Sequence, residues 1–515
     1  MVGSDISFMW MGDDPQRKRS VKRLSPAFTN VDGSATTLSM SPTRFLSTAW
    51  KRLFLVSLFA GILTGLQAAS GLHVGTGEVD ITPKEWPLPL VGGWSPKPTD
   101  EIHDPLHARA LAFKNGDGQA VIVIVDNLMI GRETHDEIRA IAAKRTGWKP
   151  KEMLIGCTHA HSAPPSGPAD DGPRAAYHEQ LKQGIAEAIA EAVKGLKPAK
   201  VGFGSADLPE EVFNRRWYLK QGTMPPNPFG GMDTVKMNPS RSTIVRPAGP
   251  TDPEICIVSV QSLRNRHMGL LANYSLHYVG NTQNKVSADY FGVFADLMPT
   301  RVGSKREPEF VAMMSNGTSG DINNIDFTGT RAPRAPFEQI DVVATKAADT
   351  AWQALKGIET YSSDVPVKIV QREVPLKWRR PTPDQLEEAR RILKMSDEEK
   401  KELPRHADTY AQRTIRQHEY EGQAGVILQA VRIGDQAIVS LPFEVLVEIG
   451  LEIKEKSPFK HTFVIELANG AFGYLPTPRQ HELGGYETWL GTNRVQMNAS
   501  DILTKHLLEM LNELK

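Results

Sequence analysis

The chain is 515 residues long, and its 60 Lys and Arg balance 60 Asp and Glu, so the formal charge at neutral pH is zero. That balance leaves no electrostatic footprint for nucleic acid or an anionic membrane surface as a main partner. The length allows a large core, and the presence of only two cysteines, Cys157 and Cys256, excludes a disulfide scaffold.

The first 70 residues are a separate kind of sequence. Basic clusters at Arg17-Lys-Arg19 and Lys51-Arg52 precede an apolar run, Leu53 to Leu66, and the small residues Ala68-Ala69-Ser70. Charged, then apolar, then small is the order of a secretory signal, and the run is shorter than the ~20 residues of a membrane-spanning helix. The expectation is a cleaved signal, an exported protein with no membrane span after processing, and translation starting near Met40.

From Gly71 the pattern becomes that of a folded domain. Val74 to Pro83 reads as extended, followed by strands at Asp104–Phe113 and Ala120–Asp126 around the turn Asn115-Gly-Asp-Gly118. The unbroken Val/Ile run of the third strand implies burial on both faces. His135 to Lys144 reads as a helix, and Glu152-Met-Leu-Ile-Gly156 as a buried strand. Strand, helix, strand predicts an α/β fold, with a mixed central sheet covered by helices.

Directly after that strand come Cys157-Thr-His159-Ala-His161-Ser-Ala-Pro164. In an extended segment residues two apart share a face, so His159 and His161 point together. Such a pair suits zinc, although an isolated His-x-His is more often hydrogen-bonded in a turn. Cys157 shares the same face, but its place in the apolar run makes it inert.

Apolar spacing predicts a helix from Tyr177 to Gly195 and a strand at Lys200–Phe203. Residues 218–252, rich in Pro, Gly, Asn and Met, read as a long surface loop able to cover a site. A hairpin follows, Glu254–Leu263 and Gly269–Leu276, ending at His277. Phe310–Met314 is a short strand that runs into Ser315-Asn-Gly-Thr-Ser-Gly-Asp-Ile-Asn-Asn324, and Ile340–Leu355 is helical. Pro383 to Gln423, the most charged stretch, reads as two helices broken at Pro404 within a helical insertion spanning 375–423. Strands at Gly425–Ile433, Gln436–Leu441 and Thr462–Leu467 and a helix from Ser500 to Lys515 complete a single large domain over 71–515.

Four segments at strand ends stand out: Thr158-His-Ala-His-Ser162, Asn273-Tyr-Ser-Leu-His277, Ser440-Leu-Pro-Phe-Glu444 and Gly473-Tyr-Leu-Pro-Thr477. Taken alone, Glu444 can cap a helix and Tyr474 can be a core aromatic. In order and spacing, from about residue 72 to the C-terminus, the set resembles the neutral ceramidase family of secreted zinc amidohydrolases. The family's His-Thr-His-Ser-Gly-Pro matches His159 to Pro164, its Leu-Pro-Gly-Glu matches Leu441 to Glu444, and its tyrosine motif matches Tyr474 to Thr477. The resemblance implies Zn2+ held by His159, His277, Glu444 and Tyr474, with His161 beside it as a catalytic group. Asn214-Arg215-Arg216 resembles the family's Asn-Arg-Ser-Pro, which implies Arg215 as an oxyanion or substrate-oxygen partner.

Gly320-Asp-Ile-Asn-Asn324 resembles the family's Gly-Asp-Val-Ser-Pro-Asn, with Asn323 where the family has a serine. That exchange removes a hydroxyl and predicts a serine-independent route, in which a metal-activated water attacks and Asn323 donates to the oxyanion. Because the chain stops soon after the tyrosine motif, the family's C-terminal immunoglobulin-like domain is expected to be absent. The implied substrate is a lipid or other small N-acyl compound. The alternatives are the same scaffold acting on another N-acyl or ester substrate, or a non-catalytic envelope or binding homologue. Asp321 and Asp326 suggest either a second cation or a surface Asp-Asn loop.

Overall fold

The computed structural model describes residues 71–515, apart from 94, 95, 305–309, 328 and 330. The expected signal segment and the alternative start at Met40 lie outside the described residues. Eight strands form the larger sheet: β1 (His73–Asp80), β2 (His107–Asn115), β3 (Gly118–Val125), β4 (Met153–Cys157), β5 (Lys197–Asp207), β6 (Glu254–Ser262), β7 (His267–Tyr274) and β8 (Val311–Asn316). Their order is β8-β7-β6-β5-β1-β2-β3-β4. Adjacent strands are antiparallel through the middle, and the outermost pair at each edge, β3 with β4 and β7 with β8, is parallel. Each parallel pair is bridged by a helix, α1 (Arg132–Thr146) at one edge and α3 (Asp289–Arg301) at the other, because parallel neighbours need a long crossover. Between them, α2 (Gly172–Lys194) follows the histidine loop.

A second sheet, β9 (Val367–Lys377), β10 (Gln423–Ile433), β11 (Gln436–Leu441) and β12 (His461–Glu466), has those strands in that order, with β11 and β12 parallel. The two sheets pack face to face. Leu111, Ile122, Ile124, Leu154, Val258 and Leu271 of the first meet Val431, Ile438, Phe463 and Ile465 of the second in one buried cluster. Their outer faces are covered by helices: α1 and α2 on one half of the large sheet, α3 and α4 (Glu338–Lys356) on the other, and α8 (Val447–Lys456) with α9 (Ala499–Leu514) on the smaller sheet. The result is a mixed α/β fold with covering helices. Strands buried on both sides explain the continuous Val/Ile run of β3. Each fully buried Leu, Ile or Phe in these layers contributes about 1.5–3 kcal/mol of transfer free energy.

The charged region forms α5 (Pro383–Leu393), a single turn α6 (Asp397–Lys400) and α7 (Ala407–Glu419) between the adjacent antiparallel strands β9 and β10. The expected break at Pro404 falls between α6 and α7, while residues 375–377 belong to β9. The stretch 218–252 is not elementless: Arg216–Leu219, Val235–Met237 and Ile244–Pro247 pair as a small three-stranded sheet. Its strands are too short, and too interrupted by Pro and Gly, to show a period in the sequence.

Candidate metal centre and adjoining pocket

The predicted residues come from the ends of parallel strands. His159 follows β4, His277 lies three residues beyond β7, and Glu444 follows β11. Glu444-Val445 pairs in parallel with Tyr474-Leu475, which fixes the carboxylate beside the phenol. A helix-capping role for Glu444 is excluded, because the next helix, α8, begins at Val447 with Leu446 as its N-cap.

Strand alternation is not what brings His159 and His161 together. β4 stops at Cys157, and His159 has φ 67°, in the left-handed region. A bulky side chain is held there only where surrounding contacts over-determine it. Here the His159 N–H donates to Asn127 O at 3.0 Å, and the ring nitrogen Nδ1 donates to Leu128 O at 2.9 Å. The turn that follows swings His161 back, so that its Nε2 lies 3.1 Å from His159 Nε2. Gly92 makes room for it, since a Cβ at that position would lie 2.7 Å from the His161 ring.

His277 faces the same point. Its Nε2 is 3.1 Å from His159 Nε2, and its Nδ1 donates to Ser319 O at 3.0 Å. Glu444 Oε2 lies 3.3 Å from His159 Nε2 and 3.9 Å from His277 Nε2, and it is buried with no hydrogen-bond partner. The hydrogen count is informative. Because Nδ1 of both His159 and His277 meets a backbone carbonyl, the hydrogen sits there and both Nε2 atoms carry lone pairs. Two lone pairs at 3.1 Å, with an orphaned carboxylate oxygen beside them, call for a shared cation. Two imidazoles and a carboxylate, with the far imidazole nitrogens bound to carbonyls, are the donor set and outer hydrogen bonding of a zinc site. Burial, together with the neighbouring histidine, holds His277 and His161 well below the usual histidine pKa and therefore neutral. Among the described residues, His159, His161 and His277 are the group able to hold a metal, and His161 is the least buried of the three.

Tyr474 and Arg215 are built into the same wall. Arg215 Nη2 donates to Tyr474 Oη at 3.0 Å, and Nε donates to Glu487 Oε1 at 3.0 Å. Glu487 also pairs with Arg216 Nη1, so one buried carboxylate joins two buried guanidiniums. Burial pushes the Glu487 pKa up, but Arg216 and Arg215 outweigh it and hold the carboxyl below the usual range. Burial drives Tyr474 the other way, well above the usual phenol value, against the pull of Arg215.

A family model for neutral/alkaline non-lysosomal ceramidases, N-terminal region, matches residues 72–331, just over half of the chain. The chain belongs to this family. Two solved structures share its fold. The neutral ceramidase from Pseudomonas aeruginosa is 17% identical, with a TM-score of 0.64 over 86% of this chain and 74% of that one. A structure described as a ceramidase complexed with C2 is 16% identical, with a TM-score of 0.65 over 86% and 75%. No curated protein sequence matches. Family membership supports, in general terms, a ceramide-hydrolysing function and a hydrolase acting on amide bonds.

In this ceramidase-family chain Asn323 is buried on the two-residue ladder that pairs Ile322-Asn323 with Phe213-Asn214. Its amide donates to Asn238 Oδ1 at 2.8 Å and its oxygen accepts from Ile325 N at 3.0 Å. Asp321 is fully buried rather than in a surface loop, and its oxygens are occupied by Val447 N and Asn214 Nδ2, both at 2.8 Å. Burial raises its pKa to about 6. Cys157 and Cys256 are free and buried, and burial pushes both thiols up, which removes Cys157 as a nucleophile.

Sequence reasoning missed Arg216, Glu487, Tyr278 and Tyr486. Tyr278 stacks on His161 with ring centroids 3.5 Å apart, and Tyr486 meets Tyr474 edge-on at 5.5 Å. Tyr278, Met237, Tyr486 and Trp489 belong to one apolar cluster with Leu446 and Tyr474. The same cluster continues into a cavity of about 510 Å³, whose walls include Met224, Val235, Met237, Pro404, Tyr486 and Trp489. Residues of the 218–252 stretch and of the α6–α7 connection therefore line a space next to the candidate metal centre. The adjacency of Tyr278 to His277 was the one signal for it available in the sequence.

Proposed function

We propose that this protein is a zinc-dependent amidohydrolase that cleaves the N-acyl amide bond of a ceramide-like lipid. The observation that carries the reading is the convergence of His159 and His277 Nε2 on the orphaned Glu444 Oε2, with each opposite Nδ1 fixed to a carbonyl. In this reading His159, His277 and Glu444 hold the zinc and Tyr474 completes the set. Zinc bound there supplies Lewis acidity and lowers the pKa of a water to about 7.

The remaining work falls to the chain's own residues. His161, neutral and the most accessible of the three histidines, accepts a proton at Nε2 and returns it to the departing amine. Arg215 is pinned by Glu487 and presents a fixed cation at the Tyr474 hydroxyl, where it meets the negative charge that develops on the carbonyl oxygen. Asn323 steadies Asn238 in the cavity wall and keeps one amide hydrogen for the substrate. The apolar cavity beside Tyr486 takes the acyl chain. No serine nucleophile is needed.

The test is hydrolysis of short- and long-chain N-acylsphingosine by the purified protein, with chelation and zinc restoration. Chelator-sensitive release of fatty acid is the expected result, and a protein that holds one equivalent of zinc yet releases none would sink the substrate assignment. A second reading is favoured by Lys236, Arg405 and His406 in the cavity lining: an N-acyl substrate with an anionic head, such as an N-acyl amino acid. Faster turnover of that class than of N-acylsphingosine would select it. We further propose that residues 71–515 act as one exported catalytic domain carrying the helical insertion. N-terminal sequencing of the processed and unprocessed products tests the export and the start near Met40.

A further inference from the structure

Glu466, the last residue of β12, is fully buried and accepts four hydrogen bonds. Oε1 takes Ser319 Oγ–H at 2.7 Å and Asn316 Nδ2 at 2.9 Å, and Oε2 takes Val445 N–H at 2.7 Å and Ser319 N–H at 3.2 Å. Two of these partners, Val445 and Ser319, adjoin or hydrogen-bond the metal-facing groups. Val445 follows Glu444 directly. Ser319 supplies the carbonyl that holds His277 Nδ1 at 3.0 Å, and its Oγ lies 3.3 Å from the same nitrogen.

We propose that Glu466 is the positioning residue of the metal centre, acting through Ser319 on the ring of His277 and through Val445 on the carboxylate of Glu444. The inference rests on the reading of that centre as a metal site. The direction of the hydrogens follows from the partners alone. His277 Nδ1 faces a carbonyl, so it carries hydrogen and cannot accept one from Ser319. The Ser319 hydroxyl hydrogen therefore goes to Glu466, whose other three partners are N–H groups and can only donate. Burial works against a carboxylate here, pushing its pKa well above the usual range, while the Ser319 and Val445 hydrogen bonds oppose that rise. Four donors converging on two oxygens satisfy the acceptor capacity of a carboxylate.

A buried carboxylate is an expensive way to close a core, and an apolar residue of similar size does that task better. What an apolar residue cannot do is set a tautomer. With Glu466 in place, the Ser319 carbonyl and hydroxyl are oriented so that His277 keeps its hydrogen on Nδ1 and its lone pair on Nε2. One side chain thereby fixes both His277 and Glu444, from a position that contacts neither ring nor ligand oxygen. Outer partners of this kind typically change metal affinity 10- to 100-fold when removed.

The experiment uses the full folded protein and two readouts. Zinc affinity is measured by chelator competition for wild type, Glu466→Gln, Ser319→Ala and Ser319→Thr. The His277 tautomer is read in the metal-free proteins from ring 15N shifts, with the resonance assigned by its loss in His277→Gln. Glu466→Gln turns an N–H toward partners that already donate, so a roughly 10- to 100-fold weaker zinc Kd is expected. Ser319→Ala is the milder change, expected to weaken zinc about 10-fold and to shift His277 toward the Nε2–H form, and Ser319→Thr restores both. Wild-type zinc affinity and an unchanged tautomer in Ser319→Ala and Glu466→Gln would overturn the proposal. A wild type that binds no zinc, with a tautomer that still follows Ser319 and Glu466, would dismiss the metal reading and keep the positioning role.

Discussion

Replacing Glu487 with Gln tests whether the buried arginine pair is held by one carboxylate. Glu487 has no exposed surface, and its two oxygens are divided between Arg215 Nε and Arg216 Nη1, themselves 2% and 0% exposed. A Gln keeps one acceptor oxygen and turns an N–H toward the other guanidinium. The loss comprises one charge-assisted hydrogen bond, about 1.5–3 kcal/mol, and the stranding of a buried cation, for which removal of one partner costs about 3–5 kcal/mol in all. With an unfolding entropy of about 2.1 cal/mol/K per residue, roughly 0.9 kcal/mol/K for this domain, a loss of about 3 kcal/mol lowers Tm by about 3 °C. Calorimetry on wild type and Glu487→Gln reads this directly. In an Arg216→Met background the same change should cost much less, because one stranded cation is gone. Arg215 would also lose its anchor at Tyr474, so kcat/KM should fall by about tenfold or more, equivalent to about 1.4 kcal/mol. An unchanged Tm, or equal costs in the two backgrounds, would refute the argument.

Other perturbations separate the remaining roles. His277→Ala should abolish stoichiometric zinc, measured by metal analysis, whereas His161→Ala should retain zinc and lose turnover; retained metal in the first variant would remove His277 from the ligand set. Met237→Trp narrows the cavity beside Tyr486, so turnover of long-chain N-acyl substrates should drop several-fold relative to short-chain ones, with zinc content unchanged. His135 is fully buried on α1 and neither ring nitrogen has a partner, and burial, with Arg139 and Arg132, holds its pKa well below the usual value. The native state therefore keeps it neutral while the unfolded chain protonates near pH 6.5. Its contribution to stability is present above pH 6.5 and is lost as pH falls toward the folded pKa, at about 1.4 kcal/mol per unit. His135→Leu should raise stability by about 1–3 kcal/mol at neutral pH and flatten the acid limb between pH 6.5 and 5.5 in urea titrations. Parallel pH curves for the two proteins would show that the imidazole is not responsible.

The periodic elements were legible in the sequence because their signal is local. The buried run of β3, the β6–β7 hairpin and the spacing of α2 and α4 all declare themselves within a window of ten to twenty residues. Elements whose local signal is mixed escaped. β9 is rich in Lys, Arg and Glu, yet pairs along its whole length with β10. α3 opens on Asp289 at φ 56° and contains Pro299, two features that argue against a helix until its packing against α4 is known.

The same division holds at the site. His159, His161, His277, Glu444 and Tyr474 stand in short motifs at strand ends, and those motifs carried the resemblance to the family that the chain belongs to. Strand alternation nevertheless misjudged how His159 and His161 converge, because a left-handed residue stabilised by Asn127 and Leu128 has no sequence signature of its own. Ser319 and Glu466 are 147 residues apart in the chain, and Arg216 and Glu487 are 271 apart. Nothing in either neighbourhood predicts those bonds. By itself the sequence determined which chemical groups are present and which strands deliver them, since periodicity and motif act over short range. Only the tertiary structure decided which nitrogen of His159 and of His277 meets a backbone carbonyl, which carboxylate is buried beside them and what holds it there, because proton placement and desolvation depend on atoms brought together from distant segments.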